Sequence, residues 1–592
     1  MMQDRDGAAF AAPLHGRRRV PGTALARRIE VRVLRVSLVS LVALLFVAPL
    51  SAIAAEKAPG KAAIASANPL ASQAGLEILA KGGNAFDAAV AVAGALAVVE
   101  PSGSGLGAGG FIMIHRASDS LNVMIDAREK APGASTRDMF LDKDGKPVPG
   151  LSTSSAMAAG IPGEPAGLAL MARKYGKLPL KTSLQPAIRL AREGYPLYER
   201  LQNIIANKVP QLKRSPDAAR VFLTKSGEVP PIGYVIKQPD MARTLEMLAE
   251  KGVDAYYTGP FAKKLAEGVR KLGGIWTEQD LADYRVVERE PIVGTYRGAR
   301  IISTSPPASG GIALVDALNI LEGYDLEAAD PVTRIHLVVE AMRRMHRDRA
   351  IYLGDPDFVK VPVGMLTDKH YAEGQRTSLR IDRATPSEVL PSDAIDATQG
   401  QHTTHFSVMD RDGNRVGMTV TLNLLLGSGL MIPGTGILLN NQMDDFSIKP
   451  GTPNAYRLIG ADANAIVAGK RPLSSSTPTF VESDRGVMIL GSPGGSYITG
   501  MVLEATLNFV DGMSAQDIVR APRFHHQYYP DVIQYEPGAF TDAQVKALSD
   551  RGHKLQLSGR QWGNLQVVLW DYATGDVQAA SDPRGVGAGM VY

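Results

Sequence analysis

An α+β fold is what the sequence predicts, from three observations. Residues 160–290 are mainly helical by apolar spacing. Strand-like runs resume after residue 403 and continue toward the C-terminus. Between them, "ATPSEVLPSDAIDATQGQH" (384–402) is polar, carries two prolines and has no period, as an exposed linker would.

The elements follow in order. "NPLASQAGLEILAKGG" reads as a helix with Asn68 as N-cap, Pro69 at the first helical position and a Gly-Gly stop. "NAFDAAVAVAGALAVVEP" is nearly all apolar, with Asp87 near its start; at about 15 residues it predicts a buried core helix, too short for a membrane span. Short strands are expected at Phe111–His115 and Asn122–Asp126. "QPDMARTLEMLAEKG" is helical with Gly252 as its stop. Beyond the linker, "TTHFSVMD" and "RVGMTVTLN" flank the turn "RDGN", whose Asp-Gly marks a hairpin of antiparallel strands. "GVMILGSPGG" and "NLQVVLWDYATGDVQAASD" add further strands. There is no internal repeat.

Of 592 residues, 45% are hydrophobic and 21% charged, which is ordinary globular composition. The net charge of +4 misleads about the folded part. Residues 1–50 hold eight arginines against Asp4, Asp6 and Glu30, a net +5, so the remainder carries −1. Charge therefore offers no case for a nucleic-acid partner. Arginines, an apolar run of about 15 residues ending at Pro49, and the small-residue "SAIAA" together read as a secretory signal peptide over residues 1–55, cleaved after Ala54 or Ala55. The expected location is periplasmic or secreted, with no membrane span in the mature protein. With no cysteine there are no disulfides, thiolate metal sites or cysteine nucleophile.

At the junction of linker and strand stand Thr403 and Thr404. Alone, the pair has a plain reading, since β-branched residues suit strands. The chemical reading is that the Thr403 hydroxyl attacks the carbonyl of His402. Hydrolysis of the resulting ester frees an α-amine that titrates near 7.7–8 and can accept a proton from its own Oγ.

The string "TTHFSVMDRDGN…TVTLN…GILLNNQMDDFS…KRPLSSSTPT…GSPGGS", with "DAREKAP", "GGNAFDAAVA", "YRG", "GDPDFVKVP" and "RAPRFHHQYYP", resembles the γ-glutamyltranspeptidase (glutathione hydrolase) family from about residue 63 to the end. The resemblance implies an N-terminal-nucleophile hydrolase: a four-layer αββα sandwich that cleaves itself between His402 and Thr403. The products would be a large chain, 56–402, and a small catalytic chain, 403–592, which stay associated. It matches Thr403 to the nucleophile, Thr421 to the hydroxyl that tunes it, and Gly494 and Gly495 to the oxyanion hole. Arg128, Ser474 and Ser475 match the groups that hold the substrate's α-carboxylate, a task suited to a guanidinium. Asn423, Gln442 and Asp445 match those that hold its α-ammonium. Tyr456, in "FSIKPGTPNAYRLIG", matches a lid tyrosine that bonds the asparagine. The implied partners are glutathione or other γ-glutamyl compounds, with amino acids or dipeptides as acceptors. No cofactor is implied.

Three positions depart from the family pattern: Ala127, the run Leu424–Leu426, and His402. The first two bear on the pocket wall and the acceptor side, and so on substrate preference. The rival enzymes share the fold: a cephalosporin or glutaryl acylase, which needs no ammonium site, and a poly-γ-glutamate depolymerase. A periplasmic binding protein would fit the leader but has no use for Thr403 after a linker. "HRD" at His346–Asp348 lies in a helical pattern without the other kinase motifs. "GSGLGAGG" at 103–110 lacks the lysine and helix of a phosphate loop. With no HExxH, and no partner pattern for His525–His526, no metal is expected.

Overall fold

The computed structural model describes residues 58–390 and 403–592. The leader, His402 and the linker from 391 lie outside the described residues. Ala58–Tyr592 forms one compact unit.

Two antiparallel sheets make its centre. Their strands are β1 Ala63–Ser66, β2 Gly109–Arg116, β3 Leu121–Ala127, β4 Val287–Arg289, β5 Ile292–Tyr296, β6 Ala299–Ser303, β7 Thr404–Met409, β8 Arg415–Thr421, β9 Thr479–Ser483, β10 Gly486–Gly491, β11 Gln566–Asp571, β12 Val577–Ser581 and β13 Ala588–Val591. The first sheet runs β13-β1-β7-β8-β2-β3-β4 and the second β12-β11-β10-β9-β6-β5. The predicted strands around 111–115 and 122–126 are present, extended by one or two residues at each end. The turn of "YRG" joins β5 to β6 with Arg297 and Gly298 both at positive φ, the backbone a tight hairpin requires.

The helices that cover these sheets are α1 Pro69–Ala80, α2 Ala85–Val99, α3 Glu164–Tyr175, α4 Leu180–Glu193, α5 Pro239–Lys251, α6 Gly310–Glu322, α7 Pro331–Tyr352 and α8 Ile498–Val510. Asn68 caps α1 by accepting the Leu70 N–H, as its position predicts. Asn84 and Asp87 form a reciprocal capping box on α2. All fifteen residues of α2 are buried, because it lies between α1, α4 and the first sheet. A helix apolar on every face suits that position.

Three apolar cores separate four layers. One joins α1–α5 to the first sheet. A second lies between the sheets, with Phe111, Met113 and Met124 facing Ile302, Phe480, Ile489, Val568 and Trp570. The third joins the second sheet to α6, α7 and α8. The order is helix, sheet, sheet, helix, as the resemblance implies. The "HRD" triplet lies inside α7. In "GSGLGAGG", Gly110 has the Thr419 carbonyl 2.1 Å from where a Cβ would sit, and Gly107 has the Leu438 carbonyl equally close. These glycines admit neighbouring backbone. No helix among the described residues is long and apolar enough to cross a membrane.

Candidate active site

Thr403 immediately precedes β7, which lies between β1 and β8. Val420 of β8 pairs with Thr404, so one step further Thr421 stands across from Thr403. The Thr403 Oγ1 lies 3.4 Å from Thr421 Oγ1, and Thr421 Oγ1 accepts the Asn423 N–H at 2.8 Å. Thr404 turns the other way and donates to the buried Glu100 carboxylate. Register alone therefore separates the two threonines: one faces the cavity and one faces the core.

Arg128 follows the end of β3 and is fully buried. Its Nη2 donates to Asp445 Oδ2 at 2.5 Å, and its Nε to the Pro472 carbonyl at 3.1 Å. Asp445 ends the short helical turn Gln442–Asp445 and also accepts from Gln442 Nε2 at 2.6 Å. Asn423, at φ +74°, reverses the chain just past β8; asparagine tolerates this left-handed backbone. Its Nδ2 donates to the Asn441 carbonyl at 2.9 Å. Ser474 bridges to Ala308 beside the second sheet and donates its hydroxyl to Ser476 at 3.0 Å. Of the two serines matched to the carboxylate, only Ser475 keeps an unbonded hydroxyl.

Gly494 and Gly495 both have positive φ and open the turn that leads into α8. Main-chain N–H groups at such a helix start suit a developing negative charge. Tyr456 is buried and its hydroxyl donates to the main-chain carbonyl of Asn423. Tyr456 thus meets the expected asparagine through its backbone, while the Asn423 side chain gives its Nδ2 to Asn441 and leaves Oδ1 unbonded. A Cβ on Gly495 would stand 2.3 Å from the Tyr456 ring.

The glycine pair separates two cavities. A small one of about 20 Å³, room for one water, is lined by Thr403, Arg128, Asp445, Ser475, Gly495 and Tyr456. A larger one of about 550 Å³ is bordered by Gly494 and Pro493, with Arg200, Arg560 and Trp562 around it. Leu425 lines the larger cavity, Leu424 borders a separate surface hollow and Leu426 is buried. None of the three forms a wall of the small cavity.

Two groups here were not singled out from the sequence. Glu129, adjacent in "DAREKAP", places its carboxylate 3.6 Å from Arg128 Nη1. Burial pushes its carboxyl up to about 8, with Arg128 opposing the shift. Arg349, in α7, lines the small cavity. No local motif could have announced it, because α7 and Arg128 meet only through the fold. Away from this site, His336, Glu340 and His553 place ligand-type atoms within 4.8 Å of one another. Those atoms are already engaged: the two imidazoles bond each other at 2.7 Å, and Glu340 holds Arg344 and the Thr385 N–H.

A sandwich of this kind, with a threonine at the head of a central strand and paired glycines opening a helix beside it, defines the N-terminal-nucleophile class of amide hydrolases. The chain belongs to the gamma-glutamyltranspeptidase family, whose profile matches residues 71–592. It is 43% identical over 527 residues to the glutathione hydrolase proenzyme of Escherichia coli strain K12, covering 88% of this chain and 90% of that one. Among solved structures it is similar to cephalosporin acylase from Bacillus halodurans, with TM-score 0.78, 29% identity and coverage of 90% and 96%. It is also similar to Helicobacter pylori gamma-glutamyltranspeptidase, with TM-score 0.54, 42% identity and coverage of 55% and 93%.

Proposed function

We propose that the chain splits between His402 and Thr403 and that chains 56–402 and 403–592 together act as a γ-glutamyltransferase and glutathione hydrolase. One observation carries the choice of acyl group. The polar atoms that the buried pocket leaves without a hydrogen bond fall into two sets: donors at Arg128 Nη1, Arg349 Nε and Ser475 Oγ, acceptors at Asn423 Oδ1 and Gln442 Oε1. Asp445 adds a negative charge beside the acceptors. An α-carboxylate answers the first set and an α-ammonium the second. A glutaryl group answers only the first, which weighs against the acylase reading.

In the mechanism, the free α-amine of Thr403 takes the proton from its Oγ as Oγ attacks the γ-carbonyl. The N–H groups of Gly494 and Gly495 receive the oxyanion. The C–N bond then breaks, the amine proton passes to the leaving nitrogen, and the γ-glutamyl ester of Thr403 remains. Water gives glutamate; an amino acid or dipeptide amine gives the transfer product. The larger cavity beyond Gly494 suits the leaving group and acceptor, with Arg200 and Arg560 for their carboxylates. The closed lid keeps bulk water from the ester. The leader would place this reaction in the periplasm or outside the cell.

The test is intact mass and N-terminal sequencing. The wild type should yield a small chain beginning at Thr403, while Thr403→Ala should remain one chain and be inactive. Normal splitting of Thr403→Ala would remove the basis of the reading.

A further inference from the structure

The small cavity holds a second arginine. Arg349 is 6% exposed and lies near the C-terminal end of α7, under the lid. Among the described residues no hydrogen bond or ion pair takes its side chain, and its Nε is enclosed without any partner. Burial lowers its pKa to about 10, with Asp445 opposing the shift, so it stays charged at neutral pH. Its structural work is done by main chain: the Arg349 carbonyl accepts from Leu353 N–H, and the Ala350 carbonyl accepts from Ala461 N–H in the lid segment. Neither bond requires a guanidinium.

Burying an unpaired cation is costly, and such groups ordinarily face an anion. The protein offers this one little. Asp445, the carboxylate that influences it most, is engaged by Arg128 at 2.5 Å and by Gln442 at 2.6 Å. Glu129 is held largely protonated near pH 7. The pocket's ionised side chains are then two arginines and one aspartate, an excess of one positive charge beside Ser475, whose hydroxyl is also unbonded. A pocket of that composition selects for an anionic group on the acyl moiety.

We propose that Arg349 is a second anion contact of the acyl pocket, meeting the substrate's α-carboxylate together with Arg128 and Ser475. The assignment rests on the γ-glutamyl reading above. It gives the bound complex an alternating order of charge: Arg349, α-carboxylate, Arg128, Asp445, α-ammonium. Each charge then has an opposite neighbour, and Arg349 gains the partner it otherwise lacks. The contact is remote from the scissile bond, so it acts on substrate binding and leaves the chemical step alone.

The experiment compares γ-glutamyl 4-nitroanilide with its α-carboxamide analogue, which has the same shape without the charge, on the wild type and on Arg349→Gln. A hydrogen bond to a charged group corresponds to a factor on the order of ten to a hundred. Arg349→Gln should raise KM for the γ-glutamyl anilide by that factor with little change in kcat. The ratio of kcat/KM for carboxylate over carboxamide should fall equally. An unchanged ratio, with both substrates losing alike or neither losing, overturns the assignment. If Arg349→Gln does not fold and split, Arg349→Lys carries the test: it keeps the charge, loses the planar fork, and should lower the ratio several-fold. An unchanged ratio in the lysine variant overturns the proposal equally. A wild type that does not cleave γ-glutamyl anilide would instead defeat the γ-glutamyl reading itself.

Discussion

Replacing Asp445 by Asn changes the charge of the acyl pocket while hardly changing its shape. Asp445 is 11% exposed on its side chain and Arg128 is not exposed at all, so their 2.5 Å contact is out of reach of bulk water. If Asp445 receives the α-ammonium, the wild type should prefer γ-glutamyl anilide over glutaryl anilide, which lacks only the amine. Removing the partner of a buried charge costs about 2–5 kcal/mol, a preference on the order of 30 to several thousand in kcat/KM. Asn still offers an oxygen to the ammonium and so retains part of this. The expected loss is then about 2–3 kcal/mol, or a factor of about 30 to 150 for the γ-glutamyl substrate. The same substitution also leaves Arg128 without its ion partner in the free enzyme. That effect acts on both substrates and cancels in their ratio. The assay is release of nitroaniline from each substrate at several concentrations, using protein that has split into two chains as evidence of folding. The γ-glutamyl over glutaryl ratio should collapse. A ratio that stays at its wild-type value while both activities fall together would show that Asp445 acts only through Arg128, and the ammonium assignment would be refuted.

Three further outcomes concern the surroundings of this pair. The folded-state pKa of Glu129 is raised from 4.5 to about 8 by burial, with Arg128 opposing, so the carboxylate forms 3.6 Å from Arg128 as pH rises through 8. KM for a γ-glutamyl substrate should then climb more steeply between pH 7 and 9 in the wild type than in Glu129→Gln; parallel KM profiles would contradict the link. Because the folded value lies above the unfolded one, its stabilising effect is complete below about pH 4.5 and lost through pH 8, so Tm of the wild type should fall relative to Glu129→Gln from pH 5 to 9. Gly495→Ala puts a Cβ 2.3 Å from the Tyr456 ring at φ +58°, a backbone that costs an alanine roughly 1–2 kcal/mol. The ring should leave its place, the Tyr456 bond to the Asn423 carbonyl should break, and trypsin should cut faster at Arg457; wild-type resistance to trypsin would count against a lid held by this contact.

Local sequence determined much of the secondary structure by itself. Asn68 and Gly252 mark helix ends through short-range bonds and backbone freedom, and these ends lie where the spacing predicts. The hairpin of β7 and β8 follows from alternation around an Asp-Gly turn. The motif strings matched to Thr403, Arg128, Asp445 and Gly495 could be picked out because each is a continuous segment, and the fold brings all of them to one cavity. What sequence could not supply was everything that depends on strand order and on packing across the sandwich. Neither β1 nor β13 was read from pattern: each is only four residues long, and β1 lies between β7 and β13. Orientation of side chains also belonged to the tertiary structure. Ser474 and Ser475 are equivalent in the sequence, yet one hydroxyl is spent on Ser476 while the other is left to the cavity. Leu425 and Asn423 are two residues apart but face different cavities, because the chain turns at Asn423, where φ is positive. Arg349 is the extreme case. It sits 221 positions from Arg128 on a helix whose spacing announces only a buried face. Only the packing of α7 beneath the lid brings a second guanidinium to the pocket, where an unpaired buried charge has physical consequences that no linear motif encodes.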